Sequence, residues 1–483
     1  MLLLGGAALA IYQWRAHGTP TSPSVAVLPL VNLNADTALD YYVEGITDEL
    51  INSLARVGGL RVPARTSSFA VQETLHDFPA IGARLGVAYV LEGGLRRTSS
   101  DVQITVQLRN VADGQRLWAA TYRSDRADIF AAEDQIARVV AAALAGHSER
   151  VPTATVARMP TTNPDAHDSY LRGMYFYRQR SPAAAIQAIA DFQRAIALDP
   201  RYALAYSGLS DSYAHLAASG SAPDAFAQAD SAARRAVALD STLAEGYTSL
   251  ARILMAYEWD WAGAERAMQR ALQLDPQYAW AHGMYGMLLT VVKGARGGGE
   301  QGLREAGVAL DLDPLNGSLS ALYCHALYVR RQYGAAVTAC KQTVELVPDW
   351  AAAHMHLAFA YFFNGQFDQA AVQVDSAHRL LPASLPPLAF RAYMEAQKGG
   401  RDTALQLLGE VQKHVGNRTY WESMALIYVG LGDHDRALAA MDSEFVQRAD
   451  WSGWGLDPGT PVWDPVRSDP RFGAILRKAG LAP

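Results

Sequence analysis

An α/β module followed by an all-α solenoid of about eight helix hairpins is the fold class this chain predicts, and three observations carry the prediction. In the second half, helix-like stretches end repeatedly in a version of Ala-x-Leu-Asp-Pro. The endings are Ala197-Leu198-Asp199-Pro200, Ala238-Leu239-Asp240, Gln273-Leu274-Asp275-Pro276, Asp311-Leu312-Asp313-Pro314, Glu345-Leu346-Val347-Pro348 and Arg379-Leu380-Leu381-Pro382. Their third residues lie 41, 35, 38, 34 and 34 positions apart, near the period of a two-helix repeat. Residues 24–145, by contrast, alternate apolar runs of strand length with helical stretches, the pattern of a separate α/β unit.

That unit opens with Val25-Ala26-Val27-Leu28-Pro29-Leu30, an apolar run of strand composition. Ile46, Leu50, Ile51 and Leu54 share one face of a helix over 41–57, which Gly58-Gly59 ends before a short strand over 60–63. A second helix is predicted over 78–85. Three strands follow, over 88–96, 102–110 and 116–123, turned by Thr98-Ser99-Ser100-Asp101 and then by Asp113-Gly114, a strong hairpin signal. A last helix spans 128–144. The segments Ser24-Val25-Ala26-Val27-Leu28-Pro29-Leu30, Glu44-Gly45-Ile46-Thr47-Asp48-Glu49-Leu50, Arg65-Thr66-Ser67-Ser68-Phe69, Tyr89-Val90-Leu91-Glu92-Gly93 and Trp118-Ala119-Ala120-Thr121-Tyr122 resemble the TolB amino-terminal-like module, related to the FlgO-like domains of bacterial envelope proteins. The resemblance covers nearly all of 24–150. It implies a bacterial chain in which such a module precedes tetratricopeptide repeats and follows a serine/threonine kinase, an adenylate cyclase or a DNA-binding winged helix.

The repeat array is assigned to 165–446. Its cleanest unit is 351–382: Leu357, Ala358 and Tyr361 lie on a first helix, Asn364-Gly365 turns the chain, and Phe367, Ala370, Val374 and Ala377 form the apolar stripe of a second, which Pro382 cannot continue. Small Ala358 and Ala370 let the pair approach closely, and Leu357, Tyr361 and Phe367 are expected to fill the space between hairpins. These residues resemble the tetratricopeptide family closely. Other units fit the same frame through Gly173, Phe176, Ala188, Phe192 and Ala195, through Leu209, Ser210, Tyr213, Ala229 and Ala236, and through Leu250, Ala251, Leu254, Ala264 and Ala271. Two more contain Ala392, Gly399 and Ala404, then Trp421, Ala425, Tyr428, Gly432, Ala437 and Met441. Excess length falls between helices, around 218–224 and in the run Lys293-Gly294-Ala295-Arg296-Gly297-Gly298-Gly299, where a longer loop costs only about 0.6 kcal/mol per doubling. Residues 447–483 read as a capping tail. Trp463-Asp464-Pro465-Val466-Arg467-Ser468-Asp469-Pro470-Arg471-Phe472 is similar to the closing segment of the same bacterial chains, and Trp451, Trp454 and Trp463 would supply the apolar area of a cap.

At 483 residues, half apolar and 19% charged, the chain has the composition of folded protein with more than one domain. A net charge of -6 without long runs of one sign argues against nucleic acid as a partner. Residues 1–14 hold one strongly polar side chain, Gln13, and end in Trp14-Arg15. They are too few to cross a bilayer, which takes roughly twenty apolar residues. They are read as part of a transmembrane helix, with a cleaved signal peptide as the alternative, and 15–23 as a linker. The expected location is the bacterial cell membrane with the soluble part outside the cytoplasm, the side being left open. Cys324 and Cys340 fall one on each helix of a single hairpin. A disulfide is conceivable there, but the reading adopted is two small buried hydrophobes, and two cysteines do not assign a compartment.

No phosphate-binding loop, no Gly-x-Gly-x-x-Gly after a strand, no His-Glu-x-x-His, no Gly-x-Ser-x-Gly and no kinase signature occurs in the sequence. The expectation is therefore a non-enzyme that uses no cofactor or metal. His354 and His356 stand two apart, on different helix faces. Asp48 and Glu49 suit a helix start. Arg61, Arg65, Thr66 and Ser67, just beyond a strand end, form a candidate anion site for a phosphate or carboxylate, with surface turn residues as the plainer alternative. Aromatics enrich the first helices of the repeats, and His282 and Met355 are the candidate groove residues for a protein or peptide partner. The function expected is membrane-tethered regulation or scaffolding by partner binding through the solenoid. The alternative is the sensor half of a transmembrane serine/threonine kinase or adenylate cyclase without its catalytic domain.

Overall fold

A computed structural model describes residues 23–34, 36–74, 77–145, 160–218, 222, 224–294, 299–417, 419–446, 457 and 459–481. The segment read as a partial membrane helix, the glycines 297 and 298, Trp451 and Trp454 lie outside these residues.

The N-terminal module is a mixed sheet with helices on both faces. Strands run in the order β1 (Val25–Val27), β3 (Tyr89–Arg97), β4 (Asp101–Asn110) and β5 (Arg116–Asp125), and β2 (Val31–Asn32) pairs with β3 further along. β1 and β3 are parallel, setting Val25 opposite Tyr89 and Val27 opposite Leu91. A parallel pair needs a crossover, supplied by α1 (Asp40–Ala55), α2 (Arg65–Thr74) and α3 (Phe78–Leu85). β3, β4 and β5 then form an antiparallel meander. Gly93 is required there, because a Cβ on it would lie 2.0 Å from the Thr105 carbonyl oxygen. One face buries Ile46, Leu50 and Leu54 of α1 with Ile136 and Val140 of α4 (Ile129–Ala145) against Leu91, Leu95, Ile104 and Val106. The other packs Val71, Ile81 and Leu85 onto Ala26 and Val90. Two sequence expectations change. The strand over 60–63 shrinks to one bridge between Ser24 and Arg61, and Arg65, Thr66 and Ser67, for which surface turn residues were the alternative reading, open a helix over 65–74.

Eight hairpins follow: α5 and α6 (Pro164–Tyr177, Pro182–Leu198), α7 and α8 (Ala203–Ala218, Ala225–Leu239), α9 and α10 (Ala244–Ile253, Trp261–Leu274), α11 and α12 (Ala279–Gly294, Glu300–Leu312), α13 and α14 (Gly317–Val329, Tyr333–Leu346), α15 and α16 (Ala351–Phe363, Phe367–Leu380), α17 and α18 (Leu385–Gln397, Arg401–Gln412), and α19 and α20 (Tyr420–Leu431, His434–Val446). The chain is thus an α/β module followed by a tetratricopeptide-like solenoid. The Leu-Asp-Pro endings have a specific task. Asp199, Asp240 and Asp275 each accept the backbone N–H two residues on, from Arg201, Thr242 and Gln277, closing the turn into the next hairpin. In six of the hairpins, a left-handed residue sits two positions before the second helix begins. It is glycine at 365, 399 and 432 but Arg180, Trp259 and Arg331 in the other three.

Ala358 and Ala370 are fully buried as the frame requires, whereas Phe367 is 42% exposed and does not fill an inter-repeat space. The hairpin of α13 and α14 carries a Cys324–Cys340 disulfide with Cα atoms 5.3 Å apart, so the reading of two free thiols is corrected. Antiparallel helices joined by a short turn bring positions sixteen apart within the span a disulfide bridges, and closing such a loop is worth about 3 kcal/mol.

The tail does more than cover the last hairpin. It touches that hairpin through Lys478 to Asp442 and Arg471 to Asp435, then continues along the repeats. Val462, Trp463, Val466, Phe472, Ile475, Leu476 and Leu481 join one apolar cluster with residues of α13, α15, α17 and α19. At its end, the Trp261 indole donates to the Ala479 carbonyl at 2.6 Å, five hairpins away from α20. Its two helical pieces are a 3-10 turn at Pro461–Trp463 and α21 at Pro470–Lys478.

Helices α11 and α12 meet backbone to backbone, where a Cβ on Gly286 would sit 2.8 Å from the Gly302 carbonyl oxygen and 2.9 Å from the Ala306 nitrogen. Gly286→Ala gains up to about 1 kcal/mol of helix propensity, but forcing two backbones apart costs about 1–3 kcal/mol. The substitution is therefore expected to lower the urea midpoint followed by circular dichroism, and a raised midpoint would contradict the packing.

Candidate functional site

The four residues proposed as an anion site lie at one junction, and their partners belong to the chain: Ser67 and Thr66 reach the Asp313 carboxylate, Arg65 that of Glu44, and Arg61 backbone carbonyls. Asp313 ends the fourth hairpin, where its counterparts close a turn on their own backbone. Here its Oδ1 accepts from the Ser67 backbone N–H at 2.9 Å and from the Ser67 hydroxyl at 2.5 Å. The N–H of Leu315, which should have gone to the aspartate, donates instead to Ser67 Oγ at 2.9 Å. Ser67 is thereby inserted into the inter-repeat turn, and Asp313 caps the start of α2. Burial raises the Asp313 pKa, against the lowering effect of its bonds from Ser67, Asn316 and Thr66.

Arginines fix the rest of this junction. Arg61 donates to the Leu85 and Gly86 carbonyls and, across the junction, to that of Asp311 at 2.8 Å. Arg65 pairs with Glu44 at 2.5 Å and stacks on the Phe69 ring. Burial lowers the pKa of both guanidiniums. Thr66 is exposed, accepts from Asn316 at 3.4 Å and donates to Asp313. The backbone N–H of Ala64 reaches the Leu312 carbonyl, and the Gln277 side chain donates to the carbonyls of Ala55 and Leu60. The candidate anion site is thus the seat of the module on the turns of the third and fourth hairpins. Beside it, at the carboxyl end of β1, lies an open depression of about 370 Å³ lined by Leu30, Asn32, Asp40, Glu44, Phe69 and Gln72 among others.

A second junction joins α1 and α4 to the first repeat helix. Tyr41 and Arg97 both reach Asp168, Asp48 pairs with Arg178, and Glu49 meets buried His167 at 2.8 Å. Asp48 and Glu49 thus bind the solenoid. Behind Glu49 lies Glu133, 2% exposed, whose pKa is driven up by burial first and then by Glu49. Among the described residues no group of three or more His, Cys, Asp or Glu could hold a metal.

Neither proposed groove residue is free for a partner. Met355 is 9% exposed within the main apolar cluster. His282 bonds Glu305 at 2.7 Å and the Pro276 carbonyl at 3.0 Å, and two hairpins on His354 repeats the arrangement with Gln373 and Pro348. A pattern repeated in equivalent positions is a hairpin staple. The groove-binding residues that the sequence did not single out are those gripping the tail. Arg331 donates to the Gly459 carbonyl at 2.6 Å and to Asp464 at 2.7 Å, His325 lies 3.1 Å from Asp457, and Trp261 holds Ala479. Their signal was available, since Arg331 occupies a turn slot filled by glycine in three later hairpins.

Ser67→Ala deprives buried Asp313 of a donor and Leu315 of an acceptor, and is expected to cost about 1–3 kcal/mol. Thr66→Ala beside it removes a weaker, exposed donor to the same carboxylate and should cost less. Equal urea midpoints for the two variants would refute this account of the seat. For Glu133 the folded-state pKa lies above the ordinary 4.5, so the folded chain keeps a proton that the unfolded chain releases. Its stabilising contribution is complete below the unfolded pKa and is lost as pH rises toward the folded one. Glu133→Gln should accordingly raise the melting temperature more near neutral pH than near pH 4, which thermal scans across that range would check.

No family model matches the chain. Over 245 residues, 49% of the chain, it is 33% identical to "Putative adenylate cyclase 3" of Rhizobium meliloti (strain 1021), covering 40% of that protein. The chain therefore spans less than half the length of this relative. Solved structures that superpose on it include YrrB, described as a TPR protein with an unusual peptide-binding site, at 18% identity over 41% of this chain and 97% of that one with a TM-score of 0.30. PilF of Pseudomonas aeruginosa aligns at 21% identity over 48% of this chain and 99% of that one, with a TM-score of 0.36.

Proposed function

We propose that this chain is the non-catalytic, partner-binding part of a membrane-tethered bacterial signalling protein, its solenoid holding peptide segments of other proteins. The observation that carries the reading is that the repeats already hold a peptide in this way: the chain's own segment 459–481 lies along them, gripped through a backbone carbonyl and a carboxylate by Arg331 and through another carbonyl by Trp261. A surface that binds main-chain carbonyls and anchors aromatic side chains such as Trp463 has the chemistry of peptide recognition.

A narrower version makes the chain the regulatory half of a nucleotide cyclase. The similarity to the Rhizobium protein favours it, because the aligned part is a minority of that protein and no catalytic motif is legible here. The resemblance of residues 24–150 to the TolB amino-terminal-like module fits the same setting. For the location outside the cytoplasm, the Cys324–Cys340 disulfide is the support, since such bonds form and persist in oxidising compartments. Tethering rests on residues 1–14. Among the described residues no helix is long and apolar enough to cross a membrane.

The test pairs two measurements on the purified full chain. Overlaid on an array of short peptides of varied charge, it is expected to capture a subset, and incubated with ATP it is expected to form no cyclic AMP. Capture of none, or cyclic AMP formation above background, would overturn the reading.

A further inference from the structure

On one side the sheet of the N-terminal module ends in a strand with an open edge. β5 runs for ten residues, Arg116–Asp125, and among the described residues it pairs with β4 alone. Just beyond it, the Arg126 N–H donates to the Ser100 carbonyl at 3.2 Å. Backbone direction alternates along a strand, so Trp118, Ala120, Tyr122 and Ser124 bond toward β4, while the N–H and C=O groups of Ala119, Thr121 and Arg123 point away from it. Among the described residues none of these outward groups has a backbone partner.

Native sheets blunt such edges with proline, lysine, bulges or a covering segment. β5 contains no Pro, Gly or Lys, and its one irregularity, opposite Leu108 and Arg109 of β4, lies at its start. None of its ten residues is fully buried. Trp118 and Tyr122, with ring centroids 6.4 Å apart, sit only partly covered at the rim of the apolar cluster that α1 and α4 form with the sheet. Thr121 lies on the opposite face, its hydroxyl 3.2 Å from that of Thr105. The core of the module thus stops at two aromatic rings beside an unpaired ladder.

We propose that β5 pairs antiparallel with β5 of a second copy of this chain, about a two-fold axis through Ala120, joining two sheets into one. Residues opposite one another in an antiparallel pair share a face, so a register that keeps the rings on the core side passes its axis through a residue. With the axis at Ala120, Trp118 lies opposite Tyr122 of the second copy, and the four rings carry the apolar cluster across the axis. Ala119 of each copy exchanges backbone hydrogen bonds with Thr121 of the other. Arg116 meets Ser124 and Arg123 meets Leu117, so no like charges are opposed. Moving the axis by one residue sets Arg116 opposite Arg126 in one direction and Asp113 opposite Asp125 in the other, and in both it parts the facing rings. The edge is therefore complementary to itself in this register.

Sedimentation velocity of the full chain over about a hundredfold range of concentration is expected to show a reversible dimer. Thr121→Pro removes an outward N–H and leaves the ladder with β4 whole. It is expected to weaken the dimer at least about tenfold with the circular dichroism spectrum unchanged. Single cysteines test the register without relying on the folding of that variant. Cys324 and Cys340 are buried and bonded to each other, so an added thiol reacts alone. Residue 120 faces its own counterpart in a non-hydrogen-bonded pair, with Cα atoms about 4.5 Å apart, and Ala120→Cys is expected to give a disulfide-linked dimer on oxidation. Ala119→Cys, which faces Thr121 and not itself, is expected to cross-link at least about tenfold more slowly. A chain that is monomeric at every concentration, a dimer as tight with Thr121→Pro as without it, or equal cross-linking of the two cysteine variants would overturn the proposal.

Discussion

A helix hairpin cannot bury its apolar faces alone, and most of the architecture answers that constraint. Each hairpin is covered by its neighbours, which leaves the first helix and the inner surface of the array to be covered by something else. The α/β module meets the first requirement: α1 lies on α5 so closely that a Cβ on Gly45 would meet the Leu171 side chain at 2.8 Å. The tail meets the second, placing Trp463 and Phe472 at 0% and 2% exposure among the first helices of the later hairpins. Module and tail thus complete the core of the solenoid.

The two attachments differ in chemistry, and the difference follows from what each covers. The tail buries apolar side chains and uses few polar anchors. The module sits on turns, where backbone groups lie open, so its contacts are mostly hydrogen bonds and ion pairs: Ser67 with Asp313, Arg61 with Asp311, Gln277 with Ala55 and Leu60. Buried polar groups of this kind contribute modestly when satisfied and cost much when one partner is missing. They fix the module in one register on the repeats. Glu133, pressed into the other junction, with the first hairpin, lies beside Glu49 with a raised pKa.

The candidate site was legible in part. Arg61, Arg65 and Ser67 were recognised as a cluster suited to a carboxylate, and Asp313 was recognised as the end of a repeat. That Ser67 binds Asp313 could not be read from the chain, because 246 residues separate them and every other Asp of the series closes its own turn. His282 and Met355 show the opposite error. Their places in the repeat frame suggested a groove, but helix periodicity gives a face, and which face looks into the groove and which into a neighbouring helix depends on how the hairpins cross. The cysteines show a third. One on each helix of a hairpin was seen, but only the crossing decides that their Cα atoms stand 5.3 Å apart.

By itself the sequence determined what depends on local physics: the change from period two to period 3.6 near residue 150, the small residues at close helix contacts, the Pro, Gly and Asp that end helices, and hence eight hairpins behind an α/β module. These features are encoded within a few residues of one another, where propensity and sterics act. The tertiary structure alone decided where distant surfaces meet: the module on the turns of the third and fourth hairpins, the tail returning to Trp261, and Arg180 facing Trp280 across the array. Such contacts depend on the accumulated rotation from one hairpin to the next, a sum of small angles that no single stretch of sequence contains.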